Sequence, residues 1–256
     1  MLLAVRDLEM RFGDRLIQRD VSFDVERGTV FAVMGGSGCG KSTLLKHLVG
    51  LLHPAAGRVE YDGVDFWSAD EATRAKMRRG FGMLFQSGAL WSSMTLLENV
   101  CLPLEQHTGL DAKQRDARAR EVLEWVELEK FADYRPADIS GGMKKRAGLA
   151  RALATEPPLL FLDEPSAGLD PISSKRLDDL ILDVRERTGA AVVMVSHELP
   201  SLLAVADDGI FLDADSRHPI ARGSPKELRD HAPHPTVRAF LHREEPEPQP
   251  EIATAS

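Results

Sequence analysis

Residues 29–51 read TVFAVMGGSGCGKSTLLKHLVGL, and they give the strongest indication of the fold. The apolar run 29–34 predicts a strand that is buried on both faces, as strands of parallel sheets are. A glycine-rich turn follows. The apolar spacing from Lys41 to Leu51 then predicts a helix that stops before Pro54. A strand, a tight turn and a helix in this order indicate an alternating α/β fold.

The glycine-rich turn fits the pattern glycine, any four residues, Gly-Lys-Ser/Thr. Glycines let successive backbone N–H groups point at phosphate oxygens, and the helix N-terminus adds its positive dipole. Lys41 is predicted to reach the terminal phosphates and Ser42 to hold Mg²⁺. The flanking strand and helix disfavour the alternative of an ordinary glycine turn. The predicted nucleotide-binding residues here are Gly35, Gly36, Ser37, Gly38, Cys39, Gly40, Lys41, Ser42 and Thr43.

Strand and helix patterns continue along the rest of the chain. Val21, Phe23 and Val25 alternate with polar residues, which predicts a strand near the N-terminus with one buried face. Residues 87–155 are predicted to be a mostly helical insert, in which Asp111 caps a helix. The elements predicted outside the insert are strands at 58–61, 159–162 and 191–195 and helices at 173–187 and 198–206. Such alternation favours a parallel sheet with helices on both faces.

Composition excludes several classes of protein. The 256 residues carry 32 basic and 40 acidic side chains, and this net charge of -8 argues against non-specific nucleic-acid binding. Two cysteines cannot build a disulfide framework or a four-cysteine zinc site. No apolar run approaches the roughly 20 residues of a spanning helix, and the N-terminus does not resemble a signal peptide. We therefore expect a cytoplasmic chain whose membrane part, if it has one, is another polypeptide.

A second motif, LLFLDE at 159–164, is an apolar strand that ends in two carboxylates. Asp163 is predicted to contact the Mg²⁺ shell and Glu164 to polarise the attacking water. A strand end capped by acidic residues is the simpler interpretation of this motif by itself. Together with the phosphate loop, the pair predicts nucleotide hydrolysis.

A third motif, ISGGM at 139–143, places Ser-Gly-Gly at the start of a helix, where backbone N–H groups bind anions. A helix cap without a ligand is the alternative for this motif in isolation. Because the chain already has a complete phosphate loop, a second anion site suggests contact with another subunit's nucleotide.

These three motifs follow one another along the chain as phosphate loop, ISGGM and LLFLDE, and in that order they resemble the ATP-binding-cassette (ABC) ATPases. The resemblance covers about residues 1–225. It implies an α/β fold with a P-loop NTPase core of the RecA type, an N-terminal antiparallel β subdomain, and an α-helical signature subdomain inserted at about 87–155. Residues 226–256 are then expected to be a C-terminal extension, with a disordered Pro- and Glu-rich tail from about 244.

The resemblance also implies roles for single residues. Phe12 would stack on adenine, and Gln86 would sense Mg²⁺ and the membrane partner. His197 would act as a switch near the γ-phosphate, and the loop 166–170 would cross between subunits. The implied catalytic residues are Glu164, His197, Lys41 and Gln86. The implied metal-binding residues are Ser42, Gln86 and Asp163, and further nucleotide contacts are Ser140, Gly141, Gly142 and Asp170.

Several stretches are similar to the Mla branch of the family, which moves lipids with Mce-domain proteins. Met143 replaces the usual glutamine of the signature, and the segments FQSGAL at 85–90 and PTVRAFL at 235–241 agree with that branch. The resemblance implies a homodimer under two permease copies, bound to the cytoplasmic face of the inner membrane. ATP and Mg²⁺ would be its cofactors, and a STAS-domain protein and a Mce-domain protein would be further partners.

Two other functions remain open. One is the ATPase of an importer for polar solutes such as amino acids or metal ions, which Met143 and the segment 235–241 disfavour. The other is a soluble ABC protein of translation or DNA maintenance. The single cassette and the lack of sustained heptads argue against it.

Three further side chains carry expectations. Modification of the Cys39 thiol is expected to block nucleotide binding, and ATP is expected to protect that thiol. Cys101 is expected to be buried and unreactive. His47 is expected to be a partly exposed residue of the helix after the phosphate loop.

Overall fold

A computed structural model describes residues 1–244 of the chain. The strands are β1 Leu3–Phe12, β2 Arg15–Val25, β3 Val30–Met34, β4 Ala56–Tyr61, β5 Val64–Asp65, β6 Phe81–Leu84, β7 Leu159–Asp163, β8 Ala191–Val195, β9 Asp208–Leu212 and β10 Pro219–Arg222. The helices are α1 Lys41–Leu48, α2 Glu71–Arg79, α3 Leu96–His107, α4 Ala112–Trp125, α5 Gly141–Leu153, α6 Pro171–Thr188, α7 Leu199–Val205, α8 Pro225–His231 and α9 Pro235–His242.

Six strands form the central sheet in the order β10-β9-β3-β8-β7-β6. All neighbours are parallel except β10 and β9. Successive residues of a strand point to opposite faces, so an apolar run fills two cores. Phe31 and Val33 enter one core, whereas Ala32 and Met34 enter the other. This explains why the apolar run before the phosphate loop shows no polar alternation.

A second, antiparallel sheet has the order β2-β1-β4-β5. It covers one face of the central sheet, because Val21, Phe23 and Val25 are buried in the same core as Phe31. The rings of Phe23 and Phe31 stack with their centroids 4.7 Å apart.

Helices α3, α4 and α5 come between β6 and β7 in the sequence. They pack on the opposite face of the central sheet. Thr95 and Glu98 form a capping box at the start of α3, and Asp111 and Gln114 form one at the start of α4. The predicted cap at Asp111 is therefore confirmed. Pro103 lies inside α3.

The predicted fold class is confirmed, with small changes at the ends of elements. Helix α1 ends at Leu48 rather than Leu51. The subdomain boundaries remain predictions, and α8 begins at Pro225, where the predicted cassette ends. The expected tail lies outside the described residues apart from its start at 244. Within the described part, the helices are too short or too polar to cross a membrane.

Candidate functional site

The phosphate loop connects β3 to α1 and is shaped by glycines at positive φ. Gly35 has a φ of +139° and Gly40, the N-cap of α1, has a φ of +103°. A Cβ at Gly35 would overlap the carbonyl oxygen of Leu212 and lie 2.7 Å from the Sγ of Cys39. Glycine is therefore required at this position both by conformation and by space.

Lys41 lies under this loop with its side chain mostly buried. Its Nζ donates hydrogen bonds to the backbone oxygens of Gly35 at 2.8 Å and Gly36 at 2.9 Å. These bonds hold the ammonium group against the loop, beside a surface hollow. The residues of the loop and of α1 that line the hollow are Gly36, Ser37, Gly38, Gly40, Lys41, Ser42 and Thr43.

Gln18 of β2 supports the loop from behind, and sequence reasoning missed it. Its side chain is fully buried, and its Nε2 donates to the backbone oxygens of Cys39 at 2.8 Å and Asp213 at 2.6 Å. These bonds join the antiparallel sheet, the phosphate loop and the end of β9. A glutamine among strand residues was the only signal in the sequence.

Glu164 follows the last residue of β7 and faces the same hollow as the loop. Its φ is +47°, a conformation that non-glycine residues rarely adopt and that occurs preferentially at functional sites. The carboxylate accepts a hydrogen bond from the Nδ1 of His197 at 2.8 Å. Glu164 is mostly buried, whereas the His197 side chain is half exposed. The pair therefore extends from the end of β7 to the solvent in the hollow.

Asp163, at the end of β7, has a buried Oδ1 that accepts no hydrogen bond from any group within residues 1–244. Burial raises the pKa of its carboxyl group, and the charge of Glu164 raises it further. A neighbouring cation would satisfy the free oxygen and favour the ionised carboxylate. Ser42 and Gln86 carry side-chain oxygen atoms and line the hollow, whereas Asp163, next to Glu164 in the chain, is not one of the described residues that line it. Oxygen donors of this kind suit Mg²⁺, so these residues fit the metal that the sequence predicts.

Lys145 of α5 is a second residue that sequence reasoning did not assign to the site. Its side chain is buried, and its Nζ donates to the backbone oxygen of Glu164 at 2.9 Å. Burial lowers the pKa of Lys145, while the charges of Glu164 and Asp163 oppose that shift. The three-residue basic run after Met143 gave no indication that its middle member turns inward.

The signature residues and Asp170 lie elsewhere. Ser140 is the N-cap of α5 and accepts from the backbone N–H of Met143 at 3.2 Å. Asp170 caps α6, and its carboxylate accepts from the N–H groups of Ile172 and Ser173, each at 3.0 Å. Among the described residues that line the hollow beside the phosphate loop, none belongs to the set Ser140, Gly141, Gly142 and Asp170.

Apolar side chains also line the hollow. Phe12, at the end of β1, lines it and is half exposed. Ile17 and Phe240 also line it, and both were missed from the sequence. Phe240 belongs to α9 and packs edge-on against Phe211, with ring centroids 5.1 Å apart. The C-terminal helix therefore contributes to this hollow, together with Arg15 of β2.

The expectation for His47 was wrong, and the expected burial of Cys101 is only partial. His47 is fully buried because α1 lies against the core, and its Nδ1 lies 2.7 Å from the backbone oxygen of Leu52. Cys101 is half-buried, since α3 lies near the surface there. Cys39 is buried inside the loop, and burial raises the pKa of its thiol against the opposing charge of Lys41.

Known proteins are similar to this chain in sequence and in fold. The family model for ABC transporters matches residues 18–167, more than half of the chain. The chain is 40% identical over 240 residues to the intermembrane phospholipid transport system ATP-binding protein MlaF of Escherichia coli strain K12, covering 94% of this chain and 88% of MlaF. It is 41% identical over 223 residues to the methionine import ATP-binding protein MetN of Rhizobium meliloti, covering 87% of this chain and 61% of MetN.

A solved structure agrees with these sequence matches. It is the dimeric, post-hydrolysis state of the ATP-binding cassette MJ0796 bound to ADP and Pi, with a TM-score of 0.77 and 29% identity, covering 87% of this chain and 98% of that one. The family match, the long alignment to MlaF and the shared cassette fold agree with one another. The chain therefore belongs to the ABC transporter family, as an ATP-binding subunit that hydrolyses ATP.

Proposed function

We propose that this chain energises phospholipid transport between bacterial membranes, as the ATPase of an ABC transporter whose membrane-spanning part is a separate permease. The observation that carries the ATPase function is the meeting of the phosphate loop and the Glu164–His197 pair at one hollow. The observation that favours phospholipid as cargo is the 40% identity to MlaF over 94% of this chain.

The residues of the hollow divide the work of phosphoryl transfer. The N–H groups of the loop and the Lys41 ammonium bind the phosphates and stabilise the charge that develops on them. Glu164 orients the attacking water and accepts its proton, while His197 holds the carboxylate through Nδ1. Ser42, Gln86 and Asp163 would hold Mg²⁺, which supplies charge neutralisation when it is bound. Phe12 offers an exposed ring for stacking on the base.

A homodimer accounts for the residues that lie outside the hollow. The N-terminus of α5, with Ser140, Gly141 and Gly142, is an anion site that its own hollow does not use. We propose that it binds the nucleotide of a second copy, and that Asp170 fixes the neighbouring loop at the interface. The dimeric state of the MJ0796 cassette with ADP and Pi supports this arrangement.

The segment after Gln86 is proposed as the contact with the permease. Phe85 and Trp91 expose large apolar side chains on either side of it. The segment is held in place by Arg151, which donates to the backbone oxygen of Ala89 at 2.6 Å. Docking here would place the chain at the cytoplasmic face of the membrane. A STAS-domain protein and a Mce-domain protein complete the proposed assembly, by similarity to the Mla branch.

Import of a polar solute is the second candidate, because the identity to MetN is 41% over 87% of this chain. Purification of the intact complex from membranes separates the two functions. We expect co-purified phospholipid and a Mce-domain protein. A complex that contains a periplasmic solute-binding protein, and neither phospholipid nor a Mce-domain protein, would refute the lipid function.

A further inference from the structure

A buried carboxyl group lies behind the site, on α6. Asp178 is 4% exposed, and its Oδ2 lies 2.9 Å from the Oγ of Ser201 on α7. The same Oγ lies 2.9 Å from the Oγ of Ser166 and 3.4 Å from the Oγ of Ser174. We refer to Asp178, Ser201, Ser166 and Ser174 as the Asp178 cluster. None of these side chains lines the hollow beside the phosphate loop.

The cluster connects the two segments that carry the Glu164–His197 pair. Ser166 follows Glu164 closely in sequence, and Ser201 lies in the first turn of the helix that begins just after His197. The 2.8 Å contact between the Glu164 carboxylate and His197 therefore depends on how these two segments lie relative to each other. The hydroxyl contact between Ser166 and Ser201 is a second point at which they are joined.

The direction of these hydrogen bonds depends on the charge of Asp178. A serine hydroxyl carries one proton, so Ser201 donates to only one neighbour at a time. When Asp178 is ionised, Ser201 donates to the carboxylate, and its oxygen then accepts from Ser166. When Asp178 is protonated, it is able to donate to Ser201, and the single Ser201 proton then has two competing acceptors, Ser166 and Ser174, so the contact with Ser166 is no longer fixed.

The surroundings show that the carboxyl group is costly to bury. Its Oδ1 is buried and has no hydrogen-bond partner in the described part of the chain, and burial raises the pKa of Asp178 to about 6. The charged groups nearby are Lys175 and Asp179 on the same helix, with Glu198 and Arg243 at the adjacent surface. An apolar side chain of similar size would fill the same space without this cost, so packing alone does not account for a carboxyl group here.

We propose that Asp178 is a positioning residue for ATP hydrolysis, whose ionised carboxylate acts through Ser201 and Ser166 to hold the Glu164 and His197 segments together. The proposal rests on the ATPase function. Because the Asp178 cluster does not line the hollow beside the phosphate loop, the loss of the carboxylate should lower kcat and leave the KM for ATP nearly unchanged.

The test compares Asp178→Asn with the wild type in the full-length protein. The measured quantity is the kcat of the variant divided by the kcat of the wild type, at each pH. Asparagine is a neutral isostere of the protonated acid, and groups common to both proteins cancel in the ratio. We expect the ratio to be about one-fifth near about pH 8, to rise to about one-half near about pH 5.5, where roughly a quarter of wild-type Asp178 is still ionised, and to approach one at lower pH. The change should centre near the pKa of Asp178, about 6.

Two variants accompany this measurement. Asp183→Asn, the same substitution at an exposed position of α6, should give a ratio near one at every pH. Ser201→Ala should reproduce the high-pH loss of kcat, and the double variant should lose no more. A ratio for Asp178→Asn that is constant with pH, or a double variant whose losses simply multiply, would overturn the proposal. Wild-type protein without ATPase activity would instead refute the proposed function.

Discussion

The Nζ of Lys145 donates a 2.9 Å hydrogen bond to the backbone oxygen of Glu164. This bond joins α5, whose N-terminus carries the signature residues, to the residue after β7 that is proposed to orient the attacking water. One end of α5 faces a partner's nucleotide in the proposed dimer. In the proposed dimer, a shift of that helix would therefore act on Glu164 of the same chain through a direct contact.

Removal of this contact should impair both stability and turnover. In Lys145→Met the Glu164 oxygen loses its donor inside the protein, which should cost about 1–3 kcal/mol of unfolding free energy. Turnover should fall because Glu164 is less well held. Lys145→Arg keeps a hydrogen-bond donor and should retain more of the stability and of the turnover. Lys144→Met, on the same helix, is the control. Denaturant unfolding and steady-state ATPase assays measure the two effects, and equal behaviour of the Met and Arg variants would contradict this role.

Gln18 should affect nucleotide binding rather than the chemical step. In Gln18→Leu the backbone oxygens of Cys39 and Asp213 lose their shared donor, so the phosphate loop is less well fixed. We expect the KM for ATP to rise several-fold, with a smaller change in kcat, and the protein to lose about 1–3 kcal/mol of stability. Gln106→Leu, at an exposed position of α3, is the control. An unchanged KM would show that the loop does not need this support.

Alkylation kinetics test the environment of Cys39. The thiol is buried and burial raises its pKa, so little reactive thiolate is present near neutral pH. In a Cys101→Ser background, the remaining thiol should react with iodoacetamide much more slowly than a small-molecule thiol, and ATP should slow it further. Once alkylated, the protein should no longer bind ATP. Equal alkylation rates with and without ATP would contradict the binding of ATP at the phosphate loop.

Asp178 also predicts how stability depends on pH. Its pKa is raised from 3.8 to about 6 in the folded protein, so the native state binds more protons than the unfolded chain between these values. The stability from this group is full below pH 3.8 and is lost as pH rises through about 6. Relative to Asp178→Asn, the wild type should lose about 3 kcal/mol over this range, at about 1.4 kcal/mol per pKa unit. Chemical denaturation at several pH values measures it, and a difference that does not vary with pH would contradict the assigned burial.

The fold could be predicted from the sequence because its main signals are local. The buried run before the phosphate loop, the loop itself and the cap at Asp111 depend on neighbouring residues, and the fold class they predict is confirmed. Gln18 and Lys145 were missed because their contacts join residues far apart in the chain. His47 was misplaced because its burial depends on what covers α1, and helix periodicity does not report that.

The proposed role of Glu164 is tested by the variant Glu164→Gln, with ATP hydrolysis and dimerisation measured on one preparation. The amide keeps the shape of the side chain but does not accept a proton from water. We predict normal ATP binding, a turnover lowered by about 100-fold or more, and a dimer that persists in ATP. Lys41→Ala, which should not bind ATP, is the control. A Glu164→Gln protein that hydrolyses ATP at the wild-type rate and stays monomeric in ATP would contradict both the proposed role of Glu164 and the proposed dimer.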